Sequence, residues 1–161
     1  MTKLNKKIIF LAIFMILTTT TVILVLNIYS SEIKLDAKNG LENPVLRAHY
    51  KDFLNRIPEE RITMYYFEYD LNSDGLMDKI VFILSPEHLG TGGHGFYILL
   101  NNGDGSFEEV TGMIIHFIKA YERGDAELYI SRKKTNGLHD IIIKDRVTIF
   151  YEDGRMRPKM D

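Results

Sequence analysis

No cysteine occurs in the 161 residues. This excludes disulfides, thiolate metal sites, a catalytic cysteine and a lipid-modified N-terminal cysteine, and leaves the packed core alone to hold the fold. No segment repeats at a fixed period, which leaves solenoids unsupported, and the chain is too short for a β-propeller. Basic charge is scarce as well. Lys and Arg total 20 against 22 Asp and Glu, and three of the lysines stand before position 31, leaving 17 basic groups to 22 acidic ones in the remainder. That balance speaks against a nucleic-acid partner.

Signatures of catalysis are also missing. There is no His-Glu-x-x-His and no Gly-x-Ser-x-Gly elbow. Gly90-Thr91-Gly92-Gly93-His94-Gly95 fits the letters of a dinucleotide fingerprint, but that fingerprint opens a helix, whereas Phe96–Leu100 reads as a strand. His88 and His94 lack zinc-ligand spacing. His139 and Asp140 are neighbours on an expected strand, so their side chains point to opposite faces and form no dyad.

Charge is absent from Ile8 to Tyr29, a run of Ile, Leu, Phe, Val and Met broken only by Thr18–Thr21 and Asn27. As a helix it is roughly 33 Å long, against about 30 Å of bilayer hydrocarbon. The sequence predicts a transmembrane helix over residues 8–29. Domain boundaries follow as 1–30 for a signal-anchor or signal peptide, 31–43 for a linker and 44–161 for the main domain. Ile28-Tyr29-Ser30-Ser31 is a poor cleavage site, which favours an uncleaved anchor over a signal peptide. The lysines on one flank place the N-terminus in the cytoplasm and the domain outside, or release it if the segment is cleaved.

Beyond the polar stretch 31–43, Asn43 and Pro44 open an amphipathic helix whose apolar positions run to Ile57. Runs rich in β-branched and aromatic residues follow: Ile62–Tyr69, Lys79–Leu84, Gly95–Leu100, Phe107–Thr111, Glu127–Ser131, Asp140–Lys144 and Val147–Tyr151. Met113–Tyr121 fits a strand or a helical face, with strand preferred. The expected fold class is α+β, mainly antiparallel β: the transmembrane helix, one amphipathic helix, then a single sheet of about six to eight strands.

The strongest chemical signal lies between two of these strands. Asp70-Leu71-Asn72-Ser73-Asp74-Gly75-Leu76-Met77-Asp78 places oxygen side chains at loop positions 1, 3, 5 and 9 and glycine at position 6. Ca²⁺ takes six to eight oxygens at about 2.3–2.6 Å, and alternate spacing on a tightly wound backbone can aim Asp70, Asn72 and Asp74 at one centre. The Leu76 carbonyl would add a ligand and Asp78 would close the shell. A helix-loop-helix hand is excluded, because its closing glutamate is replaced by Val81 within an apolar strand. The bland alternative is a solvated Asp/Asn/Gly turn, in which three carboxylates would repel one another.

This loop resembles the calcium loops of FG-GAP/VCBS-type repeats and of small exported bacterial domains with a DLNGDG-like turn. Leu99–Phe107 is similar to their LLNNGDGTF hairpin, and Asn136–Ile143 to their approach to a strand; together the likeness spans about residues 50–151. It implies a calcium-stabilised β domain with Asp70, Asn72, Asp74, the Leu76 carbonyl and Asp78 as ligands. The loop occurs once, so no propeller is implied. The functional expectation is a membrane-tethered, exported, non-catalytic domain that binds a protein or cell-envelope component, through residues 86–95 and the neighbouring tyrosines. The alternatives are a small calcium-assisted hydrolase and an inhibitor or immunity-type protein.

Overall fold

The computed structural model describes residues 13–21, 32–85, 94–115, 127–143, 147–153 and 155–160. The chain divides into two compact units, Met1–Glu32 and Ile33–Asp161. In the first, residues 13–21 are helical. The hydroxyls of Thr18–Thr21 are satisfied locally by donating to carbonyls one turn back, as from Thr20 to Ile16 at 2.7 Å.

That helical stretch corrects the expected anchor. It is roughly 14 Å long, about half the hydrocarbon thickness, and the rest of the proposed span, residues 8–12 and 22–29, lies outside the described residues. No helix among the described residues is long and apolar enough to cross a membrane. The transmembrane helix therefore falls. With it fall the membrane association through residues 8–29, the tethered function and the single-pass placement with a cytoplasmic N-terminus.

The second unit has two antiparallel sheets rather than one. Its strands are β1 (Ile33–Leu35), β2 (Lys38–Asn39), β3 (Thr63–Tyr69), β4 (Asp78–Leu84), β5 (His94–Asn101), β6 (Phe107–Ile115), β7 (Leu128–Thr135), β8 (Leu138–Ile143), β9 (Val147–Glu152) and β10 (Arg155–Met160). One five-stranded sheet runs β2-β3-β4-β5-β6 and the other β1-β7-β8-β9-β10. The chain thus changes sheets between β1 and β2, within the stretch expected to be a linker, and its two short strands extend opposite sheets.

The separation has a physical cause in β4. Every residue from Asp78 to Ile83 is buried, so both faces of the first sheet must be covered. On one face Phe67, Ile80, Phe82, Phe96 and Ile98 pack with Leu128, Ile130, Ile141 and Ile149 of the second sheet. On the other, Met64, Val81, Ile83 and Leu99 pack with Leu46, Tyr50 and Ile57 from the helical segment. A single sheet could not have supplied the second cover.

The helical segment is itself two short helices, α1 (Pro44–His49) and α2 (Lys51–Leu54), rather than one. The Asn43 side chain caps α1 by accepting from the amides of Val45 and Leu46 at 3.0 and 3.1 Å. Helical geometry is interrupted at Tyr50 (ψ 19°), whose ring tilts against Tyr97 with centroids 5.3 Å apart. Met113–Ile115 belong to β6, while the remainder of the ambiguous stretch to Tyr121 lies outside the described residues.

Candidate functional site

The β3–β4 turn winds its acidic side chains around its own backbone. Asp70 accepts from the amides of Asp74 (3.0 Å) and Gly75 (2.9 Å). Asn72 Oδ1 accepts from the Asp74 amide at 3.0 Å and Asp74 Oδ1 from the Leu76 amide at 2.8 Å. Gly75, at φ 88°, makes the sharp turn that a side chain would strain. The Asn72 NH₂ group donates to Asp74 Oδ2 at 2.7 Å, so Asp70, Asn72 and Asp74 are all folded onto one winding of backbone.

Asp78 is used differently. It is fully buried, and its two carboxylate oxygens accept from the amides of Leu71 (2.8 Å) and Asn101 (2.9 Å). One side chain thus ties the start of the turn to the end of β5. Burial, assisted by the nearby Asp74 and Asp70, holds its carboxyl above the usual carboxylate range, although the two amides pull the other way. Each of its oxygens keeps a second lone pair.

The turn is also where the two sheets meet. Leu71 is buried in the inter-sheet core, and its carbonyl accepts from the His139 amide of β8 at 2.9 Å. His139 packs edge-on against Tyr69, with centroids 5.4 Å apart, and its Nδ1–H donates to the Ser131 carbonyl at 2.8 Å. Lys134 of β7 donates to the Asn72 carbonyl at 3.1 Å and also to the Ser73 hydroxyl. A cation from the second sheet therefore reaches the acidic turn, from a position more than sixty residues away.

Among the described residues, no group of three or more His, Cys, Asp or Glu is arranged to hold a metal ion. The donor chemistry nonetheless suits a hard cation: carboxylate and amide oxygens of Asp70, Asn72 and Asp74 on one winding. The Asn101–Ser106 hairpin nearby is tied to the turn through Asn101, whose side chain also donates to the Met77 carbonyl at 3.2 Å. Asp104 is held below its ordinary value by hydrogen bonds from the Ser106 side chain and, at 2.8 Å, from the Ser106 amide. Residues 86–93, expected to carry partner binding, lie outside the described residues, as does the side chain of His94. Of the neighbouring tyrosines, Tyr65 and Tyr69 pack on the inter-sheet core and Tyr66 on the helical side.

No protein-family model, curated protein or solved structure matches the chain.

Asp140, which the sequence offered only as a dismissed dyad partner of His139, stands out on the second sheet. Asp140 is buried, at 1% exposure, yet its Oδ1 makes no hydrogen bond. Its Oδ2 lies 3.4 Å from Lys133 Nζ. The available signal was an aspartate inside the aliphatic run Leu138–Ile143, on the same face of the strand as Ile142.

Proposed function

We propose that the chain is a calcium-stabilised, two-sheet binding module whose cation is held by the 70–78 turn. The observation that carries this reading is that Asp70, Asn72 and Asp74 fold onto one winding of backbone, which also joins the two sheets through Leu71 and His139. Asp70, Asn72 and Asp74 would hold the ion, with the Leu76 carbonyl and the remaining lone pairs of Asp78 completing a shell of oxygen ligands. The ion would offset the repulsion among Asp70, Asp74 and Asp78 and stiffen the junction between sheets. The likeness to FG-GAP/VCBS-type loops supports the same assignment.

One observation favours a metal-free turn: the Lys134 ammonium rests on the Asn72 carbonyl and the Ser73 hydroxyl. Calcium titration of the full chain, followed by calorimetry and thermal melting, separates the two. At an extracellular-type Kd of about 10⁻⁴ M, about 1 mM Ca²⁺ stabilises by roughly 1.4 kcal/mol. Asp74→Ala should abolish that gain. An unchanged melting temperature with and without calcium, with no heat of binding, rejects the cation and leaves the Lys134-braced turn.

A further inference from the structure

The acidic turn at 70–78 receives a cation from the chain itself. Lys134 Nζ donates to the Asn72 carbonyl at 3.1 Å and to the Ser73 hydroxyl, on the stretch of backbone that separates the Asn72 and Asp74 side chains. We propose that Lys134 is the resident counter-ion of this turn and regulates it by opposing calcium, so that the turn fills at a higher calcium concentration than its own oxygens would set. The proposal rests on the calcium reading above and adds to it a competitor built into the second sheet.

The fold specifies where the ammonium sits. Lys134 pairs with His139 across β7 and β8, and His139 is itself fixed to the turn through its amide, which donates to the Leu71 carbonyl at 2.9 Å. Because its Nδ1–H is given to the Ser131 carbonyl, its Nε2 is left as an acceptor, 3.5 Å from Ser73 Oγ. The Ser73 hydroxyl therefore donates to His139 while it accepts from Lys134. Ser73 stands at φ 65°, in the left-handed region that serine rarely adopts, and such backbone persists where its surroundings hold it. The adjacent Lys133 is directed elsewhere, to Asp140 Oδ2 at 3.4 Å.

Charge then sets the sign of the effect. Asp70, Asp74 and Asp78 repel one another, and the ammonium offsets part of that repulsion before any ion arrives. Calcium entering the turn meets a cost whichever way Lys134 responds. If the lysine stays, like charges stand side by side; if it withdraws, its hydrogen bonds to Asn72 and Ser73 are surrendered to water. Both lower the affinity. Lys134 is exposed and carries its charge on a flexible four-carbon stem, so it raises the filling threshold without closing the site.

The test titrates Ca²⁺ into the full chain by calorimetry, first at low salt. It compares Lys134→Gln, which keeps a donor and removes the charge, with Lys133→Gln, which removes an equal charge from the next residue. Lys134→Gln is expected to bind calcium about threefold more tightly than the parent or better, with the gain shrinking as salt is raised. Lys133→Gln is expected to stay within about twofold of the parent. Should Lys134→Gln fail to fold, Lys134→Met decides by the same criterion. Affinity in Lys134→Gln equal to or below that of the parent overturns the proposal and leaves the calcium reading standing. An equal gain from Lys133→Gln, which would make the effect one of net charge, or a gain indifferent to salt, does the same. Absence of binding in both the parent and Lys134→Gln overturns the calcium reading and the proposal together.

Discussion

Both sheets have five antiparallel strands and each buries one aspartate, but they treat it in opposite ways. In the β2–β6 sheet, covered by helices on one face and by strands on the other, Asp78 has both oxygens occupied by backbone amides. In the β1/β7–β10 sheet, Asp140 lies on the face away from the core with one oxygen unclaimed. The difference teaches that one buried carboxylate serves as a bracket for the backbone, whereas the other is met only by a lysine, 3.4 Å from one of its oxygens. Burial alone does not distinguish the two roles; the inventory of donors does.

The comparison can be broken most severely at the shared core. Phe82 touches Phe67 and Phe96 edge-on, with centroids 5.9 and 4.9 Å apart, and faces the second sheet. Phe82→Ala should cost about 3–5 kcal/mol, and chemical denaturation should show both sheets losing stability in one transition. Separate transitions would mean that the sheets stand independently.

The aspartates themselves give the next effect. Asp78→Ala strands two amides, each at about 1–3 kcal/mol, so a loss of roughly 3 kcal/mol is expected. Asp78→Asn should also destabilise, because its NH₂ group would confront one of those amides. Asp140→Asn, by contrast, removes a buried charge with a single distant partner and should leave stability within about 0.5 kcal/mol of the parent or raise it. Equal losses at both positions in thermal melts would erase the distinction.

The smallest effect concerns pH. Glu68 loses solvation on partial burial, but ion-paired hydrogen bonds from Lys38 and Lys79 outweigh that and hold its carboxyl below the ordinary glutamate range. A lowered folded value means that this contribution is complete above the unfolded value, about 4.3, and is lost as pH falls through the folded one. Glu68→Gln should therefore lower the melting temperature at pH 7 and converge on the parent under strongly acid conditions. Asp78 works in the opposite sense, since its raised value favours the folded chain as it protonates. A melting difference for Glu68→Gln that persists unchanged in acid would remove the ion pair from the account.

Runs rich in β-branched and aromatic residues between turn residues made β3 to β9 legible within a few residues of their bounds. The strands that escaped notice bury little. Lys38–Asn39 is exposed, and Arg155–Met160 carries Pro158 among cations at the sheet edge. Division into two sheets was also hidden, since composition reports that a strand is buried and not what covers it; the clue lay in the unbroken apolar run Ile80–Leu84. For the site, the spacing of Asp70, Asn72 and Asp74 could be read directly. The amide that engages Asp78 could not, because Asn101 lies 23 residues downstream, and neither could Lys134. The expected anchor rested on length and hydropathy alone, and no helix among the described residues is long and apolar enough to cross a membrane.

The last strand, β10, bears on how copies of the chain behave toward one another. An outermost strand offers a row of unused amides and carbonyls to any strand that drifts alongside. Arg155, Arg157 and Lys159 line this strand, Arg157 and Lys159 lie exposed, and Pro158 between them has no N–H to give. Two such edges would meet with a gap in the hydrogen-bond ladder at the proline. The chain therefore carries, at the border of its more open sheet, its own resistance to fibre formation at high concentration.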